Sequence, residues 1–104
     1  MQRKNLKIWK KIIFPFFRKK FGSFQSAFLL YQGIDQYVRI YTYLIDFKYV
    51  IEFDVSDLNK SIVENEVITV EDYKKSLIGK GRIKKENREY LKKILSENKV
   101  DYKK

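Results

Sequence analysis

Apolar residues recur along this chain in two different rhythms. At the start, Leu6, Trp9 and Ile13 fall at helical spacing with Lys10 among them, which predicts a short helix over roughly residues 4–14. Pro15 disfavours helical backbone in the residue before it, so this helix is expected to stop near Phe14, with Gly22 and Ser23 breaking the pattern afterwards.

From Phe24 to Val55 the period becomes two, the spacing of a strand with one buried face. A reversal around Asp46-Phe47, or over Ile45–Lys48, pairs residues whose numbers add to 93, so that Leu44 meets Tyr49, Thr42 meets Ile51, Ile40 meets Phe53 and Val38 meets Val55. That face is apolar. The same register sets Arg39 opposite Asp54 and Tyr41 opposite Glu52 on the other face. Upstream, Gln32–Gln36 reads as a five-residue hairpin loop, which adds Phe24, Ser26, Phe28 and Leu30 to the apolar side.

After Val55 the signals turn helical. Ser61-x-x-Glu64 and Thr69-x-x-Asp72 both have the form of a capping box, and Val70, Tyr73, Leu77 and Ile78 follow the second at helical spacing, with Gly79 to end the helix. Residues 57–68 admit two readings, a short helix lined by Leu58, Ile62 and Val63 or a small edge strand at Val67-Ile68. A last stripe of Ile83, Tyr90, Leu91, Ile94 and Leu95 predicts a helix over roughly residues 84–97, with Asn98 as its stop. The fold class expected is α+β: an N-terminal helix, a three-stranded antiparallel meander and a C-terminal helical pair. Residues 1–104 form one domain, with a basic arm at 1–20, the sheet at 24–55 and the helical pair at 69–97.

Charge changes this picture more than composition does. The net charge is +10, but it is not spread evenly: residues 1–20 hold eight basic and no acidic side chains, residues 21–72 three against nine, and residues 73–104 twelve against four. Basic ends flanking an acidic middle favour polyanionic partners. The 44% hydrophobic content is too high for a disordered chain. Cysteine and histidine are both absent, which removes disulfides, thiolate chemistry, the commonest general base and the commonest transition-metal ligands. A cytoplasmic location is expected on that basis. The apolar run Ile12–Phe17 is too short for export or for a membrane span and is closed by Arg18, Lys19 and Lys20. Half of the chain is Phe, Tyr, Met, Ile, Asn or Lys, as AT-rich codons produce, which points to a mobile element (phage or plasmid) in a low-GC host.

Three segments carry candidate chemistry. In the last third, Gly79-Lys80-Gly81 joins two helices in the manner of a helix-turn-helix, and Arg82, Lys84, Lys85 and Arg88 gather at the start of the second helix. These four are the expected main contacts to nucleic acid, with Lys7, Lys10, Lys11, Arg18, Lys19 and Lys20 in support. On the sheet, the expected register leaves Tyr31, Tyr37, Tyr41 and Tyr43 beside Arg39 on the second face, an aromatic surface on which bases stack, unless a helix covers that face too. Asp46, Glu52 and Asp54 with Lys48 nearby resemble a magnesium-binding set, but the acid, then acid-x-lysine order of nucleases is not met.

The reading is therefore a non-enzymatic, basic nucleic-acid-binding accessory or regulatory protein with no cofactor and no metal. Duplex DNA is favoured over single strands, and a homodimer is expected because acidic middle and basic ends pair between copies. Two alternatives stay open: a protein inhibitor docking its acidic, tyrosine-rich sheet on a host nucleic-acid enzyme, and a peripheral membrane protein anchored by Ile8–Phe17.

Overall fold

A computed structural model describes residues 6–79 and 81–98, and the first two residues of the expected N-terminal helix, 4 and 5, lie outside the described residues. The described residues open on a continuous helical rod made of α1 (Leu6–Ile8), a π-helical segment (Trp9–Ile13) and α2 (Phe14–Phe21). Four strands follow, β1 (Ala27–Asp35), β2 (Val38–Ile45), β3 (Tyr49–Ser56) and β4 (Ile62–Thr69), and then α3 (Val70–Ser76) and α4 (Arg82–Glu97). The strands form one antiparallel sheet in the order β1-β2-β3-β4.

Pro15 does not stop the first helix. A proline inside a helix removes one hydrogen bond and its ring presses on the carbonyl four residues back. The wider π turn directly before it gives that ring room, and Phe14 donates its N–H to the Trp9 carbonyl across it. Helix therefore continues to Phe21 and ends at Gly22, whose φ of 71° suits glycine and whose N–H bonds the Arg18 carbonyl. The rod buries Ile13 and Phe17, four residues apart on one face.

The meander has four strands rather than three, because residues 62–69 pair along β3. Ser61-x-x-Glu64 starts no helix: the Ser61 hydroxyl donates to Asn59 Oδ1 at 2.7 Å and is not placed to cap the residues after it. Thr69, by contrast, accepts from the Asp72 N–H at 3.1 Å and caps α3 as its sequence implies.

Both hairpins differ in register from the sequence expectation. Between β2 and β3 the paired numbers add to 94, with Ile45 opposite Tyr49 and Tyr43 opposite Ile51. Asp46 and Phe47 take positive φ values of 53° and 58°, Lys48 donates its N–H to the Ile45 carbonyl, and Lys48 then enters the loop as one extra residue. Positive φ is costly for a phenylalanine. Tertiary contacts hold it: the Phe47 ring packs 5.4 Å from Phe28, and the Asp46 carboxylate accepts the N–H groups of Gln25 and Ser26. Between β1 and β2 the loop is two residues, Gln36 and Tyr37, instead of five, and a bulge between Leu29 and Tyr31 shifts the register partway along.

The one-residue slip between β2 and β3 exchanges which side chains share a face. One face of the sheet carries Tyr41, Tyr43, Ile45, Ile51, Phe53 and Val55, all buried under the N-terminal rod. The other carries Leu30, Leu44 and Val50, buried under Val70, Tyr73 and Leu77 and under Leu91, Ile94 and Leu95 of α4. The molecule is thus three layers, helix on sheet on helices. Of its two central strands, β2 is buried over five consecutive residues, Tyr41 to Ile45, as a strand covered on both sides there must be.

Candidate nucleic-acid interface

The aromatic surface expected beside Arg39 is not there. Tyr41 is 0% and Tyr43 1% exposed, with Trp9 stacked on Tyr43 at 5.6 Å and Phe17 edge-on to it at 5.2 Å. The physical reason is the covering rod, whose apolar side needs an apolar sheet face to rest on. Neither hydroxyl has a hydrogen-bond partner among the described residues. Burial raises the pKa of both phenols, for Tyr41 against the lowering effect of the Arg39 charge nearby. Tyr49, expected in the core, is instead 46% exposed, and Tyr37 is 63% exposed at the tip of the β1–β2 turn. Tyr31 is also exposed, on β1.

Arg39 is engaged within the fold. Its Nε donates to Asp57 Oδ1 at 2.9 Å, with Lys60 at 4.0 Å from the same oxygen, and this pairing raises the arginine pKa. Asp54, expected to face Arg39, accepts instead from Asn65 Nδ2 at 2.8 Å. The three acids of the magnesium-like set are dispersed as well. Asp46 holds the entry to β1, Asp54 holds Asn65, and no group of three or more metal-ligating side chains converges among the described residues.

The basic residues divide between the two outer layers. On the rod, Lys7, Lys10, Lys11, Arg18, Lys19 and Lys20 are all exposed at the residue level. Lys20 is tied to Glu64 of β4 at 2.6 Å, and the Arg18 guanidinium lies 5.8 Å over the Phe14 ring. Lys7, Lys10, Lys11 and Lys19 take part in no ion pair among the described residues. On the opposite layer stand Arg82, Lys84 and Lys85, also exposed. The sheet separates the two sets, so they form two surfaces and not one.

The start of α4 has a distinct geometry. Gly81 occupies the N-cap with φ 124° and supplies no side chain to cap the first N–H groups. Residues 82–86 are all exposed, Ile83 among them, and the first buried residue of the helix is Leu91. About the first turn and a half of α4 therefore stands clear of the core and presents Arg82, Lys84 and Lys85 to solvent. Arg88 does not join them. It is half-buried and its Nη1 donates to the carbonyls of Leu77 and, at 3.2 Å, Gly79, closing the end of α3 onto α4. Lys92 and Lys93 extend the exposed basic face toward the end of α4, a continuation that the sequence pattern had not singled out although their helical spacing from Lys85 was there to be read.

The short turn between α3 and α4 keeps a two-helix outline, with Lys80 outside the described residues. Three of the four aromatic residues of the candidate membrane anchor pack inward, Phe17 buried and Trp9 and Phe16 half-buried against Tyr43 and Phe53, while Phe14 is exposed. No helix among the described residues is long and apolar enough to cross a membrane. Compared with known protein families, curated proteins and solved structures, the chain has no match in any of the three.

Proposed function

We propose that the protein binds nucleic acid without catalysis, with duplex DNA as the favoured form and the first turns of α4 as the main contact. The observation that carries this reading is the exposure of residues 82–86, a helix start that leaves the core and bears Arg82, Lys84 and Lys85. Cations at an uncapped helix N-terminus meet phosphate oxygens together with free backbone N–H groups. Lys92 and Lys93 lie on the same helix and extend the phosphate track. The lysines of the rod form a second, separate basic face, suited to a neighbouring stretch of the polymer or to a second duplex.

The role of an accessory or regulatory protein of a mobile element in a low-GC host fits the residue usage and the small size. A two-fold arrangement would suit duplex DNA, whose sites often repeat about the protein's own symmetry axis. The protein-inhibitor reading is less favoured because Tyr41 and Tyr43, on which its docking surface rested, are covered by the rod. The test is fluorescence anisotropy with labelled duplex DNA, single-stranded DNA and RNA across a salt series. Lys84→Glu with Lys85→Glu should weaken duplex binding and flatten the salt dependence by about two in slope, one for each phosphate that a replaced lysine no longer neutralises.

A further inference from the structure

Where β3 and β4 run beneath α3, three carboxylates surround a cavity of about 350 Å³ whose walls include Thr42, Glu52, Glu66, Asp72 and Tyr73. Glu52 and Glu66 stand directly opposite each other across the β3–β4 pair. Like charges placed so are destabilising unless a cation lies between or beside them. None of Glu52, Glu66 and Asp72 takes part in an ion pair among the described residues, in a protein that carries 23 basic side chains.

A second observation is independent of the acids. Tyr73 is 8% exposed and lines the same cavity, and its hydroxyl, which has no protein hydrogen bond among the described residues, is open to solvent rather than sealed in like those of Tyr41 and Tyr43. Burial and the nearby Glu52 push its pKa up to about 12, so it remains a neutral phenol able to donate and to accept. Val50 and Ile68 add an apolar part to the lining. The carboxylates do not converge as a bare metal ion requires. They are spread over two strands and a helix, which suits a ligand with several donors on a short carbon stem.

We infer that this cavity binds a small organic cation, an aliphatic guanidinium or amine. Its charged end lies between Glu52, Glu66 and Asp72, the Tyr73 hydroxyl accepts one of its N–H groups, and its stem rests on Val50 and Ile68. The volume fits a compact ligand at the lower end of small-molecule sites. This site lies on β3, β4 and α3 and does not depend on the basic start of α4.

The probe is agmatine, titrated into the full-length isotope-labelled protein and followed by two-dimensional NMR of the backbone amides, with magnesium chloride titrated in parallel. Saturable shifts at Thr42, Glu52, Glu66 and Tyr73 with a dissociation constant below about 1 mM are expected. Glu66→Gln, at an exposed strand position, should weaken binding about tenfold or more, and Tyr73→Phe should weaken it with the fold retained. Asp54→Asn, on β3 beyond the cavity lining, should leave it unchanged. The inference is overturned if no saturable shift appears at these amides, if Glu66→Gln binds as tightly as the parent, if Asp54→Asn loses as much as Glu66→Gln, or if magnesium binds there as tightly as agmatine.

Discussion

Tyr41 and Tyr43 illustrate how one residue type changes meaning with its cover. Neither hydroxyl makes a hydrogen bond among the described residues, but Tyr41 keeps the Arg39 charge nearby whereas Tyr43 lies among apolar and aromatic side chains, and an unpartnered buried hydroxyl costs about 1–3 kcal/mol. Tyr43→Phe should therefore leave stability unchanged or raise it by up to about 1 kcal/mol in chemical unfolding, and leave nucleic-acid affinity as it was. A drop in affinity would mean the ring face becomes exposed in the bound state. Arg88 makes the opposite case. Its guanidinium holds the Leu77 and Gly79 carbonyls just past α3, so Arg88→Ala should destabilise the fold by about 1–3 kcal/mol while changing the salt slope of binding much less than Lys84→Glu does. Charge counting along the sequence assigned the same role to both residues, because a cation at a helix start looks alike whether it faces solvent or a neighbouring carbonyl.

At the scale of elements, what the sequence exposed was what local chemistry decides. The Thr69 cap, the stop at Asn98 and the stripe of Leu91, Ile94 and Leu95 were legible because each rests on neighbours within one or two turns. The register of β2 on β3 was not. It turns on one residue, Lys48, entering a loop whose positive φ values are held by Phe28, Gln25 and Ser26, all about twenty positions away. The candidate site was legible in part: Arg82, Lys84 and Lys85 are exposed as their pattern suggested, whereas the tyrosine face depended on the misplaced register and on a helix that crosses Pro15. Gly22 tests that helix end. With φ 71° and ψ −128° but open space around it, Gly22→Ala should cost roughly 1–2 kcal/mol from backbone strain alone, measured by thermal unfolding.

Over the whole molecule, two basic helical layers enclose a sheet whose buried phenols resist ionisation. Tyrosine in an unfolded chain titrates near pH 10. In the folded protein Tyr73 is pushed up to about 12, and Tyr41 and Tyr43 are raised as well. The unfolded state thus releases these protons at lower pH than the folded state, and stability is lost as pH rises from about 10 through 12. Circular dichroism across that range should show alkaline unfolding. Below it these three groups make stability independent of pH.

The most direct measurement is the salt dependence of binding to duplex DNA by the parent and by the Lys84→Glu, Lys85→Glu variant, with single-stranded DNA and RNA alongside. Duplex binding is expected to persist at physiological salt, to exceed that of the other two forms, and to lose about two from its salt slope in the variant, whose unfolding curve stays that of the parent. Weak binding that vanishes equally for all three polymers, or a variant that binds like the parent, would contradict it.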